Sequence, residues 1–444
     1  MNRETAEPRV EEFPGPRARE WAAAHRSTAA TSTYVYDFVW DRTAPAEGPF
    51  CTDIDGNVLL DFTSHVAAAP LGYNNPKVMD RLREFDLVDP LKIAGQDFYV
   101  ASEADEQVPG PAGLMDRLTR LTAHYGMDTV FLSNSGAEAV ENAIKVAYAS
   151  SGGAKHSITF HGAFHGRTLG ALSLNRSKAK YRRDFPEVSG VVDVPYCDDR
   201  HCTPDTCSCG FFSAGESQLA RALDPDRGYV DPDDVAYLIL EPVQGEGGYR
   251  FPSEAFTDEV ASLVEASDIT LVADEIQTGM GRTGEWWASD HSALEPDIVC
   301  SAKALRVGAT IGREEQFPTE KARISSTWGA GDLLSAAQGA LTIDAIEEHD
   351  LLANATARGR QFVETVGDFG MDSIEDVRGL GLLLGVEFDT TERRDAVQEA
   401  ALSHGLLTLG CGYKTLRVLP PLDVTEREIE LGATLLRRAV RDAS

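Results

Sequence analysis

The chain has 444 residues, room for two or three domains at roughly 150 residues each. It carries 41 basic against 71 acidic residues, a formal −30, which excludes the clustered Lys and Arg that neutralise nucleic-acid phosphates. With 42% hydrophobic and 8% aromatic residues it is no disordered polyanion either, and the acidic surplus reads as a solvated surface, such as one adapted to high salt.

The first twenty residues are charged and proline-bearing with no apolar stretch, so they predict a frayed arm and no signal peptide. No uncharged apolar run reaches the length of a membrane span. Seven cysteines in a chain this long make no disulfide framework, and the expectation is a soluble cytoplasmic protein. Between Thr52 and Asp61, TDIDGNVLLD sets a D-G turn between short apolar stretches, the pattern of a hairpin. From about Met127 to Ala302 the runs TVFLS, SITF, GVVDVP, AYLILEP, ITLVADE and DIVCSA alternate with helix-compatible stretches. Runs apolar on both faces predict a mostly parallel sheet covered by helices on both sides. Beyond about Leu333 the pattern turns helical, then gives GLGLLLGVEFD, LLTLG and TLRVLPPL before a final helix, a smaller α+β unit. The expected division is 1–70 as arm and part of a small domain, 71–332 as the large domain, and 333–444 as the rest of the small one.

In an open α/β sheet, ligands sit at the carboxyl ends of the strands, so the residues just beyond each strand matter most. After VFLS, Ser135 and Glu138 stand at capping-box spacing, and Val140, Ala143, Ile144 and Ala147 recur at helical period. Gly136 at that helix start leaves free N–H groups for an anion, although an ordinary capped helix gives the same pattern. After SITF comes HGAFHGRT: Phe164 is placed to stack on a planar ligand and Arg167 to grip a carboxylate, with a packed turn as the alternative. Glycines between His161 and His165 argue against a helical metal pair. Glu241 and Glu246 after AYLIL are candidate acid and base, though nothing in the sequence fixes their separation.

ITLVADE resembles a magnesium-holding strand, but no glycine in the chain precedes a lysine, so the phosphate loop it needs is missing. Gly279 to Gly284 spells the dinucleotide fingerprint, yet five residues separate it from the strand and Glu285-Trp286-Trp287 stand where a helix should open. DIVCSA ends in Lys303, one of nine lysines against thirty-two arginines. A lysine closing an apolar run is partly desolvated, which favours Schiff-base chemistry; a lysine snorkelling to water is the plainer alternative. Cys197, Cys202, Cys207 and Cys209, with His201, cluster inside thirteen residues of an insertion at about 196–212. The spacing matches no standard zinc finger, so a reduced surface loop is expected ahead of a zinc or iron–sulfur knuckle, and no metal is assigned.

Taken in order from about Thr52 to Leu422, the segments DGNVLLDFTS, LGYNNP, SNSGAEAVENAIK, FHGAFHGRT, EPVQGEGG, ADEIQTGMGRTG, PDIVCSAK, STWG and RVLPPL resemble the class III pyridoxal-phosphate aminotransferases. SHVAAAPLGYNNP, GAFHGRTLGAL, ARISSTWG and GCGYKTLR are most similar to the 4-aminobutyrate and lysine ε-aminotransferase branch. The resemblance implies the fold-type I architecture, a mostly parallel sheet with helices on both faces plus a smaller α+β domain, with the large domain binding pyridoxal 5'-phosphate. Lys303 would carry the cofactor and move the proton, and Asp274 would keep the ring nitrogen protonated. Gln277 would bond the ring hydroxyl, Phe164 would stack on the ring, and Ser135, Gly136 and Ala137 would take the phosphate. Thr327 would reach the phosphate of a neighbouring subunit, implying a homodimer with the site at its interface. Arg167 would bind the distal carboxylate of an ω-amino acid. Glu246 and Arg417 would form a switch, paired for the amine donor and parted when Arg417 takes the α-carboxylate of the 2-oxo acid. The implied reaction is ping-pong transfer from a 4-aminobutyrate-like donor to 2-oxoglutarate, giving a semialdehyde and glutamate. N-acetylornithine, ornithine or lysine as donor, or a racemase or aminomutase on the same scaffold, are the alternatives. One departure stands out: Ala304-Leu305-Arg306-Val307-Gly308 puts a charge near the lysine, where the family has small or glycine-rich residues.

Overall fold

The computed structural model describes residues 1–34, 38–85, 88–89, 91–324 and 330–443. They fall into two compact units, residues 80–349 and a smaller one made of residues 1–79 with 350–444.

The larger unit is built on a seven-stranded sheet: β1 Thr129–Ser133, β2 His156–Phe160, β3 Val191–Val194, β4 Val235–Leu240, β5 Thr270–Asp274, β6 Ile298–Ser301 and β7 Gly308–Gly312. The spatial order is β1-β7-β6-β5-β4-β2-β3. Pairs β2–β3, β2–β4, β4–β5 and β5–β6 are parallel, while β7 runs antiparallel to both β6 and β1. Successive residues of a strand face opposite sides, and the burial follows. Ala273 and Val299 join Leu114, Leu118, Ala336 and Ala340 of helices Pro111–Leu121 and Leu333–Glu348. Their strand neighbours Val272, Ile298 and Cys300 instead join Val140 and Ala143 of helix Gly136–Ser150. Both faces are thus covered, which is why the strands read as unbroken apolar runs.

All six apolar runs of the central region form strands. The seventh strand, GATIG, is fully buried but lacks an apolar run, because glycines stand at both of its ends. Gly308 is required there: a Cβ would stand 2.3 Å from both Ser133 Oγ and the Ser135 carbonyl oxygen.

In the smaller unit, Phe50–Thr52 and Val58–Asp61 form the expected hairpin, extended in parallel by Leu406–Leu407. A second, antiparallel sheet runs Ile374–Leu380, Leu383–Phe388, Thr415–Val418 and Leu409–Cys411. Helices Leu351–Gly367 and Thr391–Ser403 pack against it, and Glu426–Asp442 packs on those two helices. At Gly359 the helix meets the turn of this sheet so closely that a Cβ would lie 1.8 Å from the Gly381 carbonyl oxygen. Gly359→Ala must push backbone aside, and should cost about 2–3 kcal/mol in a denaturant titration; an unchanged midpoint would contradict the contact.

The frayed arm expected at the N-terminus is corrected by the structure. Arg3 bonds Glu428 at 2.7 Å and Asp423 at 2.8 Å, Arg9 bridges Val58, and Pro16–Arg26 is helical. Arg3, whose charge looked solvent-directed, has Asp423 and the buried Glu428 as partners 420 and 425 residues away, which no local pattern reveals. No helix among the described residues is long and apolar enough to cross a membrane.

Candidate active site

The carboxyl ends of β1, β2, β4, β5 and β6 carry the chemistry in the larger unit. Asp274 is the last residue of β5 and 4% exposed. Its Oδ2 lies 2.8 Å from His165 Nδ1, and its Oδ1 accepts from the Ile276 backbone at 3.1 Å. A buried carboxylate costs several kcal/mol unless paired, and His165, itself 2% exposed, is the partner. His165 Nε2 has no hydrogen-bond partner among the described residues. Asn175 Oδ1 accepts from the His165 backbone N–H at 2.6 Å, fixing the loop that delivers the ring.

Glu275, next in sequence, turns into the scaffold. Its Oε1 accepts from Ser289 N and Oγ at 2.8 and 2.9 Å, its Oε2 from the Thr278 hydroxyl. Burial, first among several causes, holds this carboxyl above the usual range. The Asp-Glu pair therefore splits, one acid to the site and one to the loop behind it. That loop is the false fingerprint: Met280 N bonds Trp286 O at 2.7 Å, and only a short 3-10 turn, Ala288–His291, comes after it. No helix opens on it, so a dinucleotide pyrophosphate has no helix end there.

Glu241 and Glu246 are not an acid–base pair but hold different partners. Glu241 is buried after β4; Oε1 accepts from Phe164 N at 2.9 Å and Oε2 from Gly245 N at 2.8 Å. Burial pushes its carboxyl up to about 7, with His165 opposing and the Asp274 charge adding to the rise. Glu246 instead takes Lys178 Nζ at 2.7 Å and the Tyr181 hydroxyl at 3.0 Å. Tyr181 meets the Phe164 ring edge-on at 5.6 Å. The exposed Arg167 guanidinium lies 5.7 Å from the Phe164 ring and 5.3 Å from that of Tyr181. One aromatic pair is thus flanked by three cations, Arg167, Lys178 and Lys180, and one carboxylate.

Helix Gly136–Ser150 starts where β1 ends. Ser135 caps it, accepting from Glu138 N at 3.3 Å, and Glu138 Oε2 accepts from Asn134 N at 2.7 Å. Gly136 and Ala137 are half-buried, and a Cβ on Gly136 would meet Ile276 Cδ1 at 2.8 Å, so the helix end abuts the loop after Asp274. From the same loop Gln277, 9% exposed, has an Oε1 without a partner among the described residues. β6 pairs Cys300 with Asp274 in register, which brings the turn carrying Lys303 to the Asp274 end of the sheet. Lys303 is half-buried. Arg306 beside it is exposed and holds φ +64°, a conformation suited to glycine.

These residues fit pyridoxal phosphate. A buried, oriented carboxylate, an amide oxygen and a ring nitrogen lacking partners, an aromatic face, a helix N-terminus and a lysine all converge on one set of strand ends. Arg417 lies half-buried on the strand Thr415–Val418 of the smaller unit. Thr327 falls outside the described residues. Three participants are invisible to sequence pattern. His165 suggests only a metal ligand by its spacing, and its bond to Asp274 spans 109 positions. Lys178 and Tyr181 sit in a segment, RSKAKYRR, whose only signal is its charge.

Comparison with known proteins agrees. The family described as aminotransferase class III matches residues 39–440. An acetylornithine aminotransferase from Methanopyrus kandleri is 35% identical, covering 89% of this chain and 93% of its own length. An alanine/serine racemase from Pyrococcus horikoshii is 32% identical over 97% of this chain and 91% of its own. A 4-aminobutyrate aminotransferase from Mycobacterium bovis is 31% identical over 98% of both chains. Among solved structures, the lysine aminotransferase of M. tuberculosis superposes with a TM-score of 0.81 at 28% identity, covering 96% of this chain and 99% of that one.

Proposed function

Because the chain belongs to the class III aminotransferases, enzymes that work with pyridoxal phosphate, we propose that its donor is an ω-amino acid of the 4-aminobutyrate kind and its acceptor 2-oxoglutarate. The observation that carries this reading is Arg167, held against the Phe164 and Tyr181 rings one loop away from Asp274. A guanidinium there binds the far carboxylate of a donor whose amine reacts over the ring.

Pyridoxal phosphate, when bound, supplies a carbonyl for the donor amine and a ring that takes up the electron pair left by the breaking C–H bond. The chain does the rest. Lys303 Nζ would anchor the cofactor and, once freed by the donor amine, would move the proton between the donor's amine-bearing carbon and the cofactor carbon on the other side of the nitrogen. Asp274 would keep a proton on the ring nitrogen, and His165, 2.8 Å from its Oδ2, fixes the carboxylate for that task. Gln277 Oε1, without a partner among the described residues, would accept from the ring hydroxyl. N–H groups of Gly136 and Ala137, reinforced by the helix dipole, would take the phosphate, with Thr327 contributing from a second subunit if the chain forms a homodimer.

Glu246 and Arg417 serve the exchange between the two half-reactions: a paired arginine leaves an amine donor unhindered, and a released one takes the α-carboxylate of 2-oxoglutarate. Lys178 shares Glu246, so opening that pair does not strand the carboxylate without a cation. A need for this switch favours transfer over racemisation, although a racemase stands among the relatives.

A second reading has support in the acetylornithine relative, more identical than the 4-aminobutyrate enzyme cited. N-acetylornithine and lysine also join a reactive terminal amine to a far carboxylate, but the carbon beside that carboxylate bears a nitrogen substituent. A donor screen against 2-oxoglutarate, following glutamate, separates the readings; a clear preference for N-acetylornithine over 4-aminobutyrate would overturn the first. Arg167→Ala should raise KM for carboxylate-bearing donors about 10-fold to 100-fold and leave simple diamines nearly untouched. Equal losses on both would remove Arg167 from the donor site.

A further inference from the structure

The insertion after β3 carries four cysteines that the reaction does not use. From Tyr196 to Phe211 the backbone forms neither helix nor strand, yet Cys197 and Cys202 are 0% and 2% exposed. Their neighbours are Phe211, Phe212 and Phe256, a core cluster that also receives Cys207 and Cys209. The thiols expected on a solvated surface loop therefore point into the larger unit. His201, the other candidate donor of the segment, is exposed.

Three of the sulfurs gather within reach of one ion, and the fourth, Cys207, joins them beside Cys209. Cys202 and Cys209 Sγ are 4.0 Å apart, Cys207 and Cys209 Sγ 3.2 Å, and the sulfurs of Cys197, Cys202 and Cys209 all lie within 4.8 Å of one another. All four are free thiols, at separations far beyond the ~2.05 Å of a disulfide bond. One zinc ion with Zn–S bonds of ~2.3 Å holds tetrahedral sulfurs ~3.8 Å apart, inside the range found. A cluster of several irons spreads its thiolates wider than a single ion does. The backbone is arranged for thiolates as well. Phe212 N donates to Cys207 Sγ at 3.3 Å, and the Gly210 and Phe211 amides face Cys207 and Cys209. N–H donors gathered on sulfur stabilise the charged ligand form that zinc requires.

We propose that Cys197, Cys202, Cys207 and Cys209 bind one structural zinc ion in an all-thiolate tetrahedral site. The ion fastens a sixteen-residue segment with no ladder of its own to the aromatic core beside β2 and β4. Sequence spacing C-x4-C-x4-C-x-C conceals this, because the ligands are joined by irregular loop and not by the short knuckles of common fingers.

The test uses the full-length holoenzyme, produced without a histidine tag and dialysed against metal-free buffer. Elemental analysis should give one zinc and no iron per chain, and exchange with cobalt(II) should bring the intense visible bands of tetrahedral cobalt–thiolate. Cys209→Ser should lose the metal while keeping the cofactor's absorption, melt several degrees lower, and be cut by protease within residues 198–210. If that variant fails to fold, the wild-type zinc content and cobalt spectrum still decide. Metal-free protein with four titratable thiols, a mass showing disulfides, or iron with labile sulfide would each overturn the proposal.

Discussion

Lys303→Ala is expected to abolish transamination, with a fall of at least about 10⁴-fold in kcat. Two proposed tasks would end together, the covalent anchoring of the cofactor and the proton transfer on the amine-bearing carbon. The visible absorption band of the lysine-bound cofactor should vanish from the purified variant. Folding should survive, because Lys303 is only half-buried while its neighbours Ala304 and Leu305 supply the packing of the turn. Soluble variant of unchanged melting temperature with no band and no glutamate formation is the expected outcome. A variant retaining a tenth of wild-type activity would show that another amine does this work.

Asp274→Asn is expected to leave that band in place and lower kcat by about 10³-fold, or ~4 kcal/mol of activation free energy. The amide preserves shape and can still accept from Ile276 N, now held at 3.1 Å. It carries no charge, so nothing holds a proton on the ring nitrogen, and the electron pair from the C–H bond has no sink. His165 also loses its charged partner at 2.8 Å. The separation of band from rate distinguishes this role from that of Lys303. Activity within tenfold of wild type would show that Asp274 is a scaffold residue like its neighbour Glu275. His165→Asn should cost less kcat than either, because it acts only through the carboxylate it positions.

The sheet is legible in the sequence for a physical reason. Strands covered on both faces have no polar side, so TVFLS, SITF, AYLIL, ITLVAD and DIVCS cannot be mistaken for amphipathic surface elements. GATIG escapes because a strand whose backbone approaches other backbone needs glycine, and glycine erases the apolar signature. Site residues at strand ends are legible for the same reason as the strands, since each motif comes after a run that can be located. Partners are not. Asp274 with His165, Glu246 with Lys178 and Arg3 with Glu428 join residues by long-range folding, and no spacing rule connects them. The four cysteines show the limit most plainly: their clustering is visible, but whether they face solvent or one another depends on where Phe211 and Phe212 pack.

β1 has one neighbour in the sheet, β7, which lies roughly 175 residues further along the chain. On the ribosome, at about 5–20 residues per second, that partner arrives on the order of ten to thirty seconds later. Through that interval β2, β3, β4 and β5 can already pair in parallel, while TVFLS presents an apolar strand with both edges open. The end of β1 is also where the helix proposed to bind the phosphate begins. The nascent chain therefore closes the sheet beside its proposed cofactor site only when β7 slides in between β1 and β6.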